Sequence, residues 1–540
     1  MKPLPRFDIE RAARSECGDS IVLAVYAPFG TDPTLSHYPG QKPRPVVQHP
    51  LVRSLAKVAA LGIHVHLLID LAGDDTYVVE IDGGRAKALV VSAWKQDMAS
   101  PRALAGFLRH VRRCRPRSAI VLALEGHGSG FLPELDTSQL TTERVTDQGR
   151  IEWRTAGDGS IPLPVGSPIL PVGSPILPVG SPILPVGSPI LPAGPLPMST
   201  YGLGEALRLA TDGGKAPLAV VHFNNCFNMS LEVLHTIAPY ADYAAGYGNY
   251  NFFTAGESYP QAFKGWLARG PRTRHGLAKW FANANHDMLE RKGNHPTVGS
   301  VIRLAGVNTV ARRLDALARK LTALLQVPDR VIRRDVLEKI RAAARAAQQY
   351  DTVPGFALGM PDQMTDVASL ADALAQQPFA DASVRPLAQA LLASLAGVKE
   401  YGDDDAPWMD LGVRWDFASK PLAMNVFFPD PGLQGVWDWR SPYYLERNPA
   451  PGLPPIQPHV IRFLRQTRWI EFIDEYHRRV RFVGLLPALA PIFPLFQRRF
   501  DPKNPDATPP IPGRPGGPGR FDNLPDQYRD DDRDDGKTAG

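Results

Sequence analysis

Two short segments hold residue types suited to acyl-transfer chemistry. The first, Leu124-Glu125-Gly126-His127-Gly128-Ser129-Gly130, closes the apolar run Ala119–Leu124. The second, Phe223-Asn224-Asn225-Cys226, closes the run Pro217–Phe223 and is expected to lead straight into a helix over Asn228–Ala238. If the two runs are parallel neighbours in one sheet, their carboxyl ends bring His127 and Cys226 to the same edge, where open α/β sheets place ligands. A thiol at a helix N-terminus would meet unpaired N–H groups that stabilise its thiolate. An imidazole beside it can take the proton and return it. The glycines flanking His127 let backbone approach a substrate, and the N–H groups of Gly128 and Cys226 are candidates to face an oxyanion.

Other chemistry was weighed against this pair. A serine hydrolase using Ser129 in an oxyanion loop would need a G-x-S-x-G elbow, which the chain lacks. His64 and His66 share a strand face, as metal ligands could, but no cysteine or acid stands at zinc spacing beside them, so no metal site is read there. Cys17 and Cys114 read as bland thiols. Asn228-Met229-Ser230 matches a glycosylation acceptor by chance, and Asp403–Asp405 reads as a solvated acidic turn. No cofactor is expected, calcium at that turn being the one alternative.

The elements that must position the pair alternate between strand and helix. Ile21–Tyr26, Ile63–Leu71 and Ala119–Leu124 are short apolar runs of the buried-strand kind, and Pro101–Arg113 is helical, with Leu104, Phe107, Leu108 and Val111 on one face. Thr76–Ile81 and Ala88–Trp94 add a hairpin or edge strands. After Pro217–Phe223, Asp242–Gly248 reads as a further strand, and helices follow at Gln261–Arg269, His275–Arg291, Val310–Leu325 and Val331–Gln349. Ala423–Pro429 is a late buried strand, and His459–Arg481 an amphipathic helix. The fold class is α/β: a mostly parallel sheet flanked by helices, with a helical C-terminal extension.

Between the two motifs lies a different kind of sequence. Four copies of the seven-residue unit PVGSPIL run from Pro164 to Leu191. Two prolines per unit forbid a continuous helix, so the segment is expected to be extended or disordered, an insertion rather than core. The chain divides accordingly: a lead over 1–19, a histidine half over 20–130, the insertion over 131–199, a cysteine half over 200–260, a helical region with closing strand over 261–430, an extension over 431–500 and a disordered tail over 501–540.

Composition narrows the setting. The 60 basic against 55 acidic residues leave a net charge of +5, too small an excess to imply nucleic acid. Three cysteines make no disulfide framework and suit a reducing compartment. The first residues do not read as a secretory signal, and no apolar run reaches membrane-spanning length, Phe482–Phe496 being broken by three prolines. A cytoplasmic protein without a membrane span is the expectation.

The two motifs also carry a resemblance. FNNCFNMSLEV (Phe223–Val233) with YADY (Tyr240–Tyr243) resembles the clostripain family's F-D-A-C-L-M and the strand after it. EGHGSGF (Glu125–Phe131) resembles that family's D-H-G-S-G-W, and MNVFFP (Met424–Pro429) its closing strand. The resemblance implies a caspase-like fold of clan CD and a cysteine endopeptidase acting on protein or peptide, with His127 and Cys226 as its dyad. It also implies processing, by self-cleavage or otherwise, within 131–199. Three positions depart: Gly126 replaces the aspartate before the histidine, Asn224 the aspartate that binds a basic P1 side chain, and Asn225 the small residue before the cysteine. The S1 pocket is therefore assigned to Asn224, with Glu257 as the acid that could replace the lost charge. The alternative is a weak or inactive pseudopeptidase serving as a binding module.

Overall fold

In this computed structural model the residues described are 20–30, 45–71, 75–83, 89–94, 96, 98, 100–126, 128, 130–132, 140–145, 151–155, 160–162, 198–249, 251, 255–268, 272–293, 297–350, 364–398, 403–404, 407–408, 413–414, 417, 420–429, 444 and 460–484. The first half of the chain builds β1 (Ile21–Gly30), α1 (Pro50–Ala59), β2 (His64–Leu71), β3 (Asp75–Ile81), β4 (Leu89–Ala93), α2 (Pro101–Cys114) and β5 (Ala119–Glu125). Three short strands follow, β6 (Leu140–Val145), β7 (Ile151–Thr155) and β8 (Ser160–Pro162). The second half supplies α3 (Thr200–Ala210), β9 (Leu218–Asn224), α4 (Leu231–Ile237), β10 (Ala241–Tyr247), α5 (Tyr259–Ala268), α6 (Arg274–Gly293) and β11 (Thr297–Arg303). Then come α7 (Val307–Leu325), α8 (Arg330–Ala346), β12 (Met364–Asp366), α9 (Val367–Gln376), α10 (Val384–Ala396), β13 (Asp403–Asp404), β14 (Pro407–Trp408), β15 (Val413–Arg414), β16 (Asn425–Phe427), α11 (Arg462–Gln466) and α12 (Trp469–Gly484).

The central sheet has nine strands in the order β13-β11-β10-β9-β5-β1-β2-β3-β4. From β10 to β2 every neighbouring pair is parallel, and the pairs outside that block are antiparallel. Parallel strands must be covered on both faces, and their sequences show it: Val22, Leu23, Ala24 and Val25 of β1 are all fully buried. Val22, Ala24 and Tyr26 join the core beneath α2, α3, α4 and the later helices, whereas Leu23, Val25 and Ala27 join the core beneath α1, α5 and α6. The expected α/β class, parallel sheet and flanking helices are what the chain adopts.

Several boundaries moved for physical reasons. The helix after Cys226 starts at Leu231 rather than Asn228, because Ser230 caps it by accepting from Val233 N at 3.2 Å. The single helix expected over His459–Arg481 is broken at Thr467, which has extended backbone between α11 and α12. The late strand, shortened to β16, pairs with β12 in a separate two-stranded ribbon instead of closing the main sheet. The antiparallel neighbour of β10 is β11, a strand that the sequence reading did not mark. Asp403 and Asp404, expected in a solvated turn, pair with β11 as the edge strand β13. Part of the insertion is also structured, since β6, β7 and β8 form an antiparallel sheet. Its repeat copies, the lead and the tail lie outside the described residues.

Two buried polar side chains hold the late ribbon, and the second ties it to turns at the end of the sheet. Asp366 caps α9 through Ala368 N (2.8 Å) and Ser369 N (2.9 Å) while its other oxygen accepts from Ala423 N and the Tyr350 hydroxyl, both at 2.9 Å. Asn425 donates from Nδ2 to the carbonyls of Phe227 (2.9 Å) and Gly248 (2.7 Å). Asn425→Ala strands two buried carbonyls and is expected to lower unfolding free energy by about 2–4 kcal/mol, read from the shift in a urea midpoint at unchanged slope. An unaltered midpoint would mean that the ribbon is not held to the sheet in this way.

Candidate active site

The site grows from the parallel pairing of β5 with β9, which runs from Val121 opposite Val220 to Glu125 opposite Asn224. Both strands end at the same edge, and the chain after each turns across it. Gly126 leaves β5 with φ of 101°, a conformation suited to glycine. Gly128 then lies so close to Cys226 that a Cβ at this glycine would sit 1.9 Å from the Cys226 carbonyl oxygen. No other residue fits there. Its neighbours His127 and Ser129 lie outside the described residues.

Cys226 is half-buried, and its sulfur is bracketed by main chain. The Asn251 N–H donates to Sγ at 3.3 Å, the thiol donates to the Asn251 carbonyl at 3.2 Å, and the Gly128 N–H also reaches the sulfur. Surrounding protein pushes the thiol up to about 11, a rise that these two backbone donors only partly offset. The sequence reading had credited thiolate stabilisation to a helix N-terminus. That is corrected here: α4 begins at Leu231, beyond Cys226, and is only seven residues long. At neutral pH the resting sulfur is a thiol, so any nucleophilic use needs a base. Immediately after it, Phe227 has φ of 58°, an uncommon state for a residue with a side chain. The strained turn is held by Phe227 N on Asn249 O (2.9 Å) and by Asn425 on Phe227 O (2.9 Å).

Asn224 is nearly fully buried, with its Nδ2 3.0 Å from both oxygens of Glu125 and its Oδ1 accepting from Asn251 Nδ2 at 3.0 Å. Asn285 continues the chain, donating to Asn251 Oδ1 (3.1 Å) and to the Tyr247 hydroxyl (2.8 Å). Tyr259 donates to Glu125 from the other side. Glu257 is exposed, in the turn 255–258 that leads into α5. The structure thus brings Gly128, Cys226 and Asn224 together at one edge.

Glu125 is the residue that sequence reasoning missed, although it stands inside the quoted motif. An acid ending an otherwise apolar strand was the available signal. Burial pushes its carboxyl up to about 7, against the hydrogen bonds from Tyr259 and Asn224 that favour the charged form.

No protein family's sequence profile matches the chain, and no curated protein does. Solved structures do resemble it. A secreted C11 cysteine protease from Bacteroides thetaiotaomicron, "iotapain", is 12% identical, with 78% of this chain and 98% of that one covered at a TM-score of 0.47. A secreted C11 cysteine protease from the same organism in complex with an irreversible peptide inhibitor is also 12% identical, with coverage of 85% and 99% and a TM-score of 0.47. An inactive zymogen C11 protease from Parabacteroides distasonis is 13% identical, with coverage of 76% and 92% and a TM-score of 0.46. All three of these solved chains are C11 cysteine proteases.

The raised carboxyl makes a pH prediction. Folded Glu125 keeps its proton up to about 7, whereas an ordinary carboxyl ionises near 4.5. Its contribution to stability is therefore full below pH 4.5 and is lost as pH rises to 7, a loss of about 3 kcal/mol. Glu125→Gln keeps an acceptor for Asn224 but cannot ionise. Melting temperatures across this range should fall for the wild type relative to the variant, and superimposable pH profiles would refute the assignment.

Proposed function

We propose that the chain is a cysteine endopeptidase using Cys226 as nucleophile and His127 as general base and acid. The observation that carries the reading is the placement of the Cys226 thiol at the carboxyl edge of β5 and β9, against the backbone of the residue that follows His127. His127 takes the thiol proton as sulfur attacks the substrate carbonyl, whose π electrons move onto oxygen. The N–H groups of Gly128 and Cys226 receive that oxyanion. Collapse expels the amine, which leaves with the proton from His127, and water then hydrolyses the thioester to free acid and restored thiol. The substrate is a protein or peptide, the expected setting cytoplasmic, and the insertion 131–199 the place where the chain is cut. Among the described residues, no helix is long and apolar enough to cross a membrane.

One observation favours the second reading, an inactive caspase-like binding module. The thiol is held high, with its proton directed to the Asn251 carbonyl. A thiol-directed peptidyl probe separates the two. Labelling of wild type, absent in Cys226→Ala and with kcat in His127→Ala lower by about 10²–10⁴-fold, supports the peptidase. A folded wild type that neither labels nor cleaves any member of a peptide library supports the module.

Specificity gives a sharper test. The Asn224 amide carries no charge, so strong arginine preference at P1 is not expected unless Glu257 supplies one. Because Asn224 Nδ2 touches both oxygens of Glu125, Asn224→Asp would set two carboxyls together and one would stay protonated. Arginine cleavage should therefore rise in Asn224→Asp/Glu125→Gln and little in Asn224→Asp alone, as read by P1 profiling. Equal gains in both would remove Glu125 from the pocket's electrostatics. Processing is checked by mass spectrometry of the purified chain. A cut within 131–199 is expected in wild type, and an intact Cys226→Ala chain would make that cut self-inflicted.

A further inference from the structure

Away from the Cys226 edge, on the β2–β3–β4 side of the sheet, four donor side chains converge. The antiparallel register of β2 and β3 sets His66 opposite Glu80. Both project toward α2, where His110 and Cys114 lie one turn apart on the same helical face. Glu80 Oε1 is 3.0 Å from His66 Nδ1 and 2.9 Å from His110 Nε2. The Cys114 sulfur is 3.6 Å from His110 Nε2 and 4.0 Å from Glu80 Oε1. One donor atom from each of His66, Glu80 and His110 lies within 4.8 Å of the other two.

We propose that His66, Glu80, His110 and Cys114 form a structural site for a divalent transition metal of zinc type. Four bonds of about 2.0–2.3 Å in a tetrahedron separate the donor atoms by roughly 3.3–3.6 Å, a range that the spacings of 2.9, 3.0, 3.6 and 4.0 Å around Glu80 and His110 bracket. A second observation comes from His66 itself. It is 3% exposed, and its Nδ1 makes no hydrogen bond of acceptable geometry although Glu80 is beside it. A buried ring nitrogen without a proper partner is costly unless something else uses its lone pair. A metal ion does so, and it also resolves the crowding of both imidazoles on a single carboxylate oxygen. The charges match: one carboxylate and one thiolate neutralise a divalent ion, with two neutral imidazoles completing the set. Arg115, a cation beside the cluster, is paired with Asp82 at 2.7 Å. Binding releases the Cys114 proton to solvent and changes no oxidation state. With four protein ligands the site has no open position, so its role is to clamp α2 onto β2 and β3 rather than to carry out catalysis.

The test uses the full chain, stripped with chelator, reconstituted with zinc and passed through gel filtration before metal analysis. About one zinc per chain should remain in wild type and be lost in His110→Ala. Glu80→Gln, nearly the same shape, should lose it as well, and circular dichroism reports whether each variant is folded. Cobalt in place of zinc should give a thiolate charge-transfer band that disappears in Cys114→Ser. Zinc removal should lower the melting temperature of wild type and leave that of His110→Ala unchanged. A wild type that retains no zinc overturns the site, as does retention undiminished in His110→Ala or Glu80→Gln. Cobalt bound without the thiolate band removes Cys114 from the ligand set and overturns the four-ligand proposal.

Discussion

The hydrogen bond between Asn224 and Glu125 joins the ends of two parallel strands, and the geometry around the thiol follows from it. Asn224 offers its amide protons to the carboxyl and its oxygen to Asn251, whose main chain in turn brackets the Cys226 sulfur. A buried acid in this position works against its own ionisation. An amide can join an acceptor on one side to a donor on the other, which a carboxylate at position 224 could not do. An amide at position 224 and an acid at position 125 are thus two parts of one arrangement.

Holding the sulfur by backbone has consequences for reactivity. The turn after Cys226 is strained at Phe227 and is kept in place by Asn425 of the late ribbon, 198 residues further along the chain than Phe227, so that ribbon shapes the thiol's surroundings. Burial favours the protonated thiol, and the Asn251 and Gly128 N–H groups offset that only in part. A thiol so held needs a base to take its proton before the sulfur can attack a carbonyl.

At the far side of the sheet the same kind of fold geometry assembles a cluster of different character. There, antiparallel pairing and a helix crossing bring imidazole, carboxylate and thiol side chains near one another. One α/β layer thus sets the Cys226 thiol at its carboxyl edge and a cluster of donor side chains at its antiparallel margin, each fixed by strand register together with the loop or helix seated on it.

Much of this was legible from local sequence. Apolar runs such as Ile21–Tyr26 and Ala119–Leu124 announce buried parallel strands, the Pro101 start announces α2, and the glycines after Glu125 and the turn at Cys226 mark where β5 and β9 end at one edge. These signals are short-range, since strand burial, helix capping and glycine turns are written within a few residues. What the tertiary structure alone decided depends on pairs remote in the chain. The pairing of Glu125 with Asn224 spans 99 residues, and the meeting of His66 with His110 and Cys114 requires both the β2–β3 register and the seating of α2. The same holds for β16, whose apolar run fits any buried strand and whose partner β12 lies far from it in the chain. Periodicity tells which side chains point inward, but the energy of a buried polar group is set by the particular partner that folding places beside it.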